Sequence, residues 1–188
     1  ARLTLETVDL EKYDINTISA TNSEVTLKNS TVKGGNLEMD YPPVWLDNVV
    51  WKSENCKIEL PGGTAVCLNN NVQFNSDSDF ITSLNSYGSM LRAHQATFTE
   101  FLCIYDQSFA ALTGETTFLA ENAQRISFGA FSDSVVMADQ MVFHKIADPN
   151  IRLQSSAYVK SDAVTYAQGD TRDLITEIED GCDYLVGR

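Results

Sequence analysis

A ladder of apolar residues at near-constant spacing restricts this chain more than any other feature. From Leu84 an apolar residue returns at Leu102, Leu119, Val136 and Leu153, in steps of 18, 17, 17 and 17. A second column follows seven positions later, at Leu91, Phe109, Ile126 and Phe143. Repetition in register with little letter identity is the pattern of units that bury their apolar side only against their neighbours. It predicts an all-β chain: a single-stranded parallel β-helix, or β-solenoid, with coils of roughly 17–22 residues and a short C-terminal cap.

The first sixty residues carry a looser form of the same repeat. Leu5, Leu10 and Ile15 are five apart, as are Leu27, Val32 and Leu37, and then Leu46, Trp51 and Cys56. From coil to coil the anchor moves from Leu5 to Leu27 to Leu46, steps of 22 and 19. An amphipathic helix needs apolar residues three and four apart, sustained over several turns. Here short runs of Val, Ile, Thr and aromatics are broken by Asn, Asp, Ser and Gly, which reads as strand and turn. Three short strands joined by bends make a three-sided coil, and the chain has room for eight or nine.

Residues 61–83 depart from the period, and the excess reads as loops through Pro61-Gly62-Gly63 and from Asn69 to Asp79. A third column runs through Leu112, Ile146 and Ala163, interrupted at His94 and Gly129, and Lys160 breaks the second column. The organisation expected is a solenoid over 1–168 and a capping segment over 169–188. Asp170 to Asp173 suggests the start of a helix reaching about Glu179 with Gly181 as its stop, although Leu174-Ile175-Thr176 also reads as strand. Tyr184-Leu185-Val186 would cover the coil end, which otherwise offers unpaired backbone.

Charge narrows the partners. A net charge of −13 with no Lys/Arg cluster argues against nucleic acid and against an anionic membrane surface. No apolar run approaches the roughly 20 residues that span a bilayer. Acidity keeps the surface soluble, or recruits Ca²⁺ or a cationic partner. The first residue, Ala1, reads as the start of a processed or excised chain. Four cysteines, Cys56, Cys67, Cys103 and Cys182, allow three pairings. Cys56 and Cys67 flank the Pro-Gly-Gly turn, and Cys182 could pin the cap to Cys103. Either bridge would imply an oxidising compartment.

The stretch Val44-Trp45-Leu46-Asp47-Asn48 resembles the apolar-Trp-apolar-Asp-His segment of pectate lyases, which are secreted parallel β-helices. Asn48 stands where that family has His, and its Arg-x-Pro-x-x-Arg stretch is absent. The adjacent Asp pairs of polygalacturonase-like hydrolases are absent too. Asp106, Asp133, Asp139 and Asp162 lie on different coils and could meet across a face, as glycoside hydrolysis requires of paired carboxylates. Asn75-Ser76-Asp77-Ser78-Asp79 opens like an EF-hand loop, which makes Asn75, Asp77 and Asp79 candidate Ca²⁺ ligands, but Phe80 stands where that loop needs Gly. His94 and His144 are too far apart in the repeat to touch. Asn29-Ser30-Thr31 is an N-glycosylation sequon. Trp45, Trp51, Tyr87 and Tyr105 are candidate ligand platforms, since aromatic faces combine contact area with a polar tip.

In overall pattern the chain resembles the superfamily of secreted polysaccharide lyases, phage tailspikes and bacterial surface adhesins. The resemblance implies an extracellular, cell-surface or periplasmic setting and transfers no active site. The leading expectation is a non-catalytic binding module, an adhesin or appendage component that presents one face to a glycan or protein, with no cofactor beyond the Ca²⁺ considered above. A polysaccharide-active enzyme is the rival. A structural spacer in a fibre or a trimeric spike, and hence a homo-oligomer, is the third reading.

Overall fold

The computed structural model describes residues 2–7, 9–10, 17–21, 24–33, 36–40, 44–53, 57–59, 65–69, 73–76, 81–84, 90–98, 101–119, 126–144, 149–166 and 174–187. For 9–10, 17–21, 32–33, 36–40, 51–53, 57–59, 65–69, 73–76, 81–84 and 101 the description is of the backbone. Every described element is a strand, and every strand pair is parallel. The first coil holds Arg2–Glu6 (β1), Asp9–Leu10 (β2) and Thr17–Thr21 (β3); the second, Glu24–Lys33 (β4) and Asn36–Asp40 (β5). The third holds Val44–Ser53 (β6) and Lys57–Glu59 (β7). The fourth holds Ala65–Asn69 (β8), Gln73–Ser76 (β9) and Ile81–Leu84 (β10). Then come Met90–His94 (β11), Thr97–Phe98 (β12) and Phe101–Ile104 (β13), followed by Phe109–Phe118 (β14) and Phe128–Phe131 (β15). Val135–Phe143 (β16) and Ile151–Gln154 (β17) form the seventh coil, and Tyr158–Tyr166 (β18) and Thr176–Ile178 (β19) the eighth. Asp183–Val186 (β20) opens a ninth.

These strands make three faces. Face 1 is the path β1-β4-β6-β8-β11-β14-β16-β18-β20. Face 2 is built from β2, β9, β12 and the second halves of the long strands, and is continuous with face 1 as one 12-stranded sheet. Face 3 is the separate 8-stranded sheet β3-β5-β7-β10-β13-β15-β17-β19. The fold between faces 1 and 2 follows a line of left-handed residues: Thr7, Asn29, Asn48, Gln95 and Gly114 all have positive φ. One such residue bends an extended strand without ending it. Asn and Gly tolerate that conformation best, Gly for want of a Cβ and Asn through local hydrogen bonding. Asn48 Nδ2 also donates to Asn29 Oδ1 at 2.9 Å, so the corner side chains stack from coil to coil.

The corner between faces 3 and 1 is a tight turn in the later coils. Asp106-Gln107, Ser132-Asp133 and Ser155-Ser156 each place two successive residues at positive φ, the signature of a type I′ turn. The next turn uses Gly181. Ser108 N donates to Tyr105 O and Ser134 N to Phe131 O within turns, while Gln107 N reaches Ser132 O at 2.7 Å in the coil beyond. Length varies most at the third corner, between faces 2 and 3. Its connections run from 34–35 and 99–100 at the short extreme to 119–127 and 167–175 at the long one.

The interior is a set of columns. On face 1, Leu5, Leu27, Leu46, Ala93, Leu112, Ala138 and Ser161 stand in one register, which the backbone of Leu68 continues between Leu46 and Ala93 and which ends at the exposed Val186. On face 2, the stacked rings of Phe98, Phe118 and Phe143 form a buried aromatic ladder, with centroids 5.8 and 4.9 Å apart. On face 3, Leu102, Phe128 and Ile151 stack beside Ile104, Ala130 and Leu153.

The β-solenoid expected from the repeat is what the chain forms, but the period differs. The anchors of the first sixty residues are true partners: Leu5, Leu27 and Leu46 pair in register, with Val32 on face 2 and Leu37 on face 3. The 17-residue columns are not partners. Leu84 and Leu102 lie on face 3, Val136 on face 1 and Phe143 on face 2. Later coils are longer: Leu112 pairs with Ala138, 26 residues on, and Ala138 with Ser161, 23 on. A 17-residue step through coils this long visits the faces in rotation, and all three bury apolar side chains, so it meets them at a false period. The stretch from Asn69 to Asp79, expected as a loop, contains β9. The expected helix before Glu179 is instead strand β19, and β19 and β20 take the last places in their sheets.

Candidate functional site

A strand sends alternate side chains outward, so a stack of coils displays outward columns as regular as its inner ones. On face 1 the first outward column reads Met90, Phe109, Val135, Tyr158 and Asp183. The second reads Thr4, Thr26, Trp45, Arg92, Ala111, Met137, Lys160 and Leu185, with the backbone of Cys67 in register between Trp45 and Arg92. Across coils five to eight these positions are mostly apolar and open to solvent. Met90 is 54% exposed and Phe109 and Met137 are each 38% exposed; Trp45, two coils earlier, is 40% exposed. Val135 and Tyr158 are half-buried between their neighbours.

Two cations interrupt this surface. Arg92 and Lys160 stand in the same column with Ala111 and Met137 between them. Three strand spacings put them about 14–15 Å apart along the stack. Neither makes an ion pair among the described residues, in contrast to Arg2, which binds Glu24 at 2.8 Å, and Arg152, which binds Glu177 at 2.6 Å. The carboxylates nearest the face sit on its rim. Asp139 is at the corner, where its Oδ2 accepts from Gly114 N at 2.8 Å, Asp162 is on the next coil, and Asp183 is on the last. At the same corner His94 Nδ1 lies 3.0 Å from Thr113 Oγ1, beside the bend at Gly114.

Face 3 carries a second outward cluster. Cys103, Gly129, Arg152 and Glu177 form its middle column. Gly129 leaves a notch that the Phe131 ring fills: a Cβ built there would lie 2.4 Å from Phe131 Cε2 and 3.2 Å from Cys103 Sγ. Phe131 in turn stacks on Tyr105, centroids 4.6 Å apart and 14° from parallel. The arrangement seals Cys103 from solvent. Burial pushes its thiol up to about 12, outweighing a hydrogen bond from Tyr105 and the nearby Arg152 guanidinium, both of which act in the opposite direction. The Tyr105 hydroxyl is raised as well, by burial first and by its thiol neighbour second. A thiol held protonated is a poor nucleophile.

The residues singled out from sequence fall in different places. Trp45 points outward on face 1, whereas Tyr105 lies at the end of a face 3 strand, so the two do not share a platform. Trp51 belongs to the face 2 half of β6, opposite Val32 and the backbone of Phe74. Tyr87 lies outside the described residues, as do Asp77, Asp79 and Cys56; Asn75 is within strand β9 and Cys67 within β8. Cys103 and Cys182 carry free thiols, which corrects the expected tether between them: Cys103 sits on face 3 and Cys182 at the turn into β20. The four aspartates do not converge. Asp106 and Asp133 occupy the turns on one side of face 1, and Asp139 and Asp162 border the other. His94 and His144 lie on different faces, and no group of three His, Cys, Asp or Glu side chains is placed to hold a metal ion among the described residues.

The lyase-like stretch has a local explanation. Val44 and Leu46 are inner-column residues, Trp45 points outward, and Asn48 turns the corner. The sequon asparagine, Asn29, is a corner residue too, exposed and hydrogen-bonded to Asn48. Met90, Arg92, Phe109, Met137 and Lys160 escaped attention as a group because the 17-residue count never set them side by side. Strict alternation with buried Leu91, Ala93, Ala110, Leu112, Val136 and Ala138 is the signal that finds them. The chain matches no family model, no curated protein and no solved structure.

Proposed function

We propose that this chain is a non-catalytic binding module of an extracellular or cell-surface protein, an adhesin or appendage component, and that it works through the outer side of face 1. A single observation carries the reading. Parallel sheets are ordinarily covered on both sides, yet here coils five to eight leave Met90, Phe109 and Met137 open to water, with two cations among them that form no ion pair among the described residues. Solvent-exposed apolar groups gathered on one flat surface mark interaction sites in soluble proteins. The stack beneath holds them rigid, so little ordering entropy is lost when a partner docks. Trp45 extends the same column toward the N-terminal coils.

The test is direct binding of the 188-residue chain to glycan arrays, to peptide libraries and to intact cell surfaces, alongside the double variant Arg92→Gln/Lys160→Gln. The expected result is binding that the double variant weakens. Binding that the variant leaves unchanged would move the site elsewhere, and no binding to any of the three would remove the reading.

A further inference from the structure

The side chains on the outer side of face 1 also say which chemistry fits them, an inference that rests on the binding reading above. We infer that the partner is a polypeptide surface, an apolar patch bordered by carboxylates, and not a glycan. Sugar hydroxyls and ring oxygens lose hydrogen bonds to water when they are buried, and a site that takes them must return those bonds. The floor between Arg92 and Lys160 returns few of them, because its hydrogen-bonding groups, Thr113, Asp139 and the Tyr158 hydroxyl, lie at its edges. Ala111 and Met137 lie in the column itself and Phe109 and Val135 beside it, and none of them has a strong hydrogen-bonding group. Apolar side chains of a protein need no such return. Methionine is unbranched and polarisable, which suits it to irregular protein surfaces, and Met90 and Met137 are both exposed.

Charge sets the border. The chain has 26 acidic and 13 basic residues, so its surface is acidic as a whole. Arg92 and Lys160 are two cations without an ion pair among the described residues, on an apolar surface, about 14–15 Å apart. Carboxylates four positions apart on an extended segment project from one side at a separation of about 13 Å, which matches that spacing. The partner therefore places apolar side chains over Ala111, Met137 and Phe109 and a carboxylate at each end.

Random-peptide display on the 188-residue chain tests this, with a glycan array as a second arm. Enriched peptides should combine apolar residues with acidic ones, and a synthetic copy should lose about tenfold or more in affinity on Arg92→Gln/Lys160→Gln. Met137→Ala should also weaken it. Gln154→Glu/Thr165→Glu changes the net charge equally but lies on the other two faces, and should leave affinity unchanged. Peptides without acidic residues, or with affinity insensitive to Arg92 and Lys160, would overturn the inference. Glycans that bind through these residues would overturn it and leave the binding reading standing, while silence in both arms would remove both. Concentration-dependent self-association lost in Met137→Ala would make a second copy of this chain the occupant, and would overturn it too.

Discussion

Gly129 is held by a ring, not by its backbone. A methyl group at that position would meet the Phe131 ring at 2.4 and 2.7 Å, and Phe131 is itself stacked on Tyr105. Gly129→Ala should therefore displace Phe131, open the cover over Cys103 and cost about 1–3 kcal/mol, the usual range for overpacking. Chemical denaturation reads the loss, and faster thiol alkylation at Cys103 reads the opened cover. Buried ionisable groups on two faces set an alkaline limit. Cys103 is raised from 9.0 to about 12 and Tyr184 from 10.0 to about 12, both by burial. The unfolded chain ionises these groups first, so the stability they lend is whole below pH 9 and is lost as pH climbs toward 12. Urea midpoints should be flat across neutral pH and fall above about 9, and Cys103→Ala should flatten the earlier part of that fall.

At the scale of the strand, two devices keep the coils in register, and they differ in how plainly the residues announce them. The corner at Asn29 and Asn48 needs a residue tolerant of positive φ. Asn48→Ala should cost about 1–2 kcal/mol, from the left-handed backbone and the lost bond to Asn29. Asn48→Gly should cost less, because glycine keeps the bend; thermal melts of the two variants settle the order. The aromatic ladder of face 2 is the second device. Phe118 packs against Phe98, Phe128 and Phe143, and Phe118→Ala should cost about 3–5 kcal/mol by denaturant titration.

Parallel coils were legible because a column of Leu5, Leu27 and Leu46 has no helical explanation. Their length was not. The residues that mark it are short polar pairs, Asp106-Gln107, Ser132-Asp133, Ser155-Ser156 and Asp180-Gly181, which advance by 26, 23 and 25. Those are the steps of the Leu112, Ala138, Ser161 and Val186 column. Polar turn pairs of changing composition carry no hydrophobic signal, so counting apolar residues passes over them. The candidate surface was hidden for the same reason: its outward residues become neighbours only once the coil length is right.

Taken whole, the molecule is a stack in which each coil touches the one before and the one after. Stability in such a stack is a sum of coil and interface contributions, and unfolding can begin at either end. One corner is permissive of length. Between faces 2 and 3 the connection can be as short as 99–100 or as long as 119–127, while the ladders on either side stay parallel. Doubling such a segment costs only about 0.6 kcal/mol in chain entropy. A ten-residue Gly/Ser insert between Leu119 and Ile126 should leave the melting temperature within a few degrees. The same insert between Asp133 and Ser134 should lower it far more, because there the turn is bonded to the coils on both sides. In the later coils one edge of the prism is thus open to new sequence while the tight turns between faces 3 and 1 are not. Foreign epitopes could be spliced into successive coils along that edge and would emerge in a row at a pitch set by the strand spacing, making the scaffold a ruler for spacing ligands.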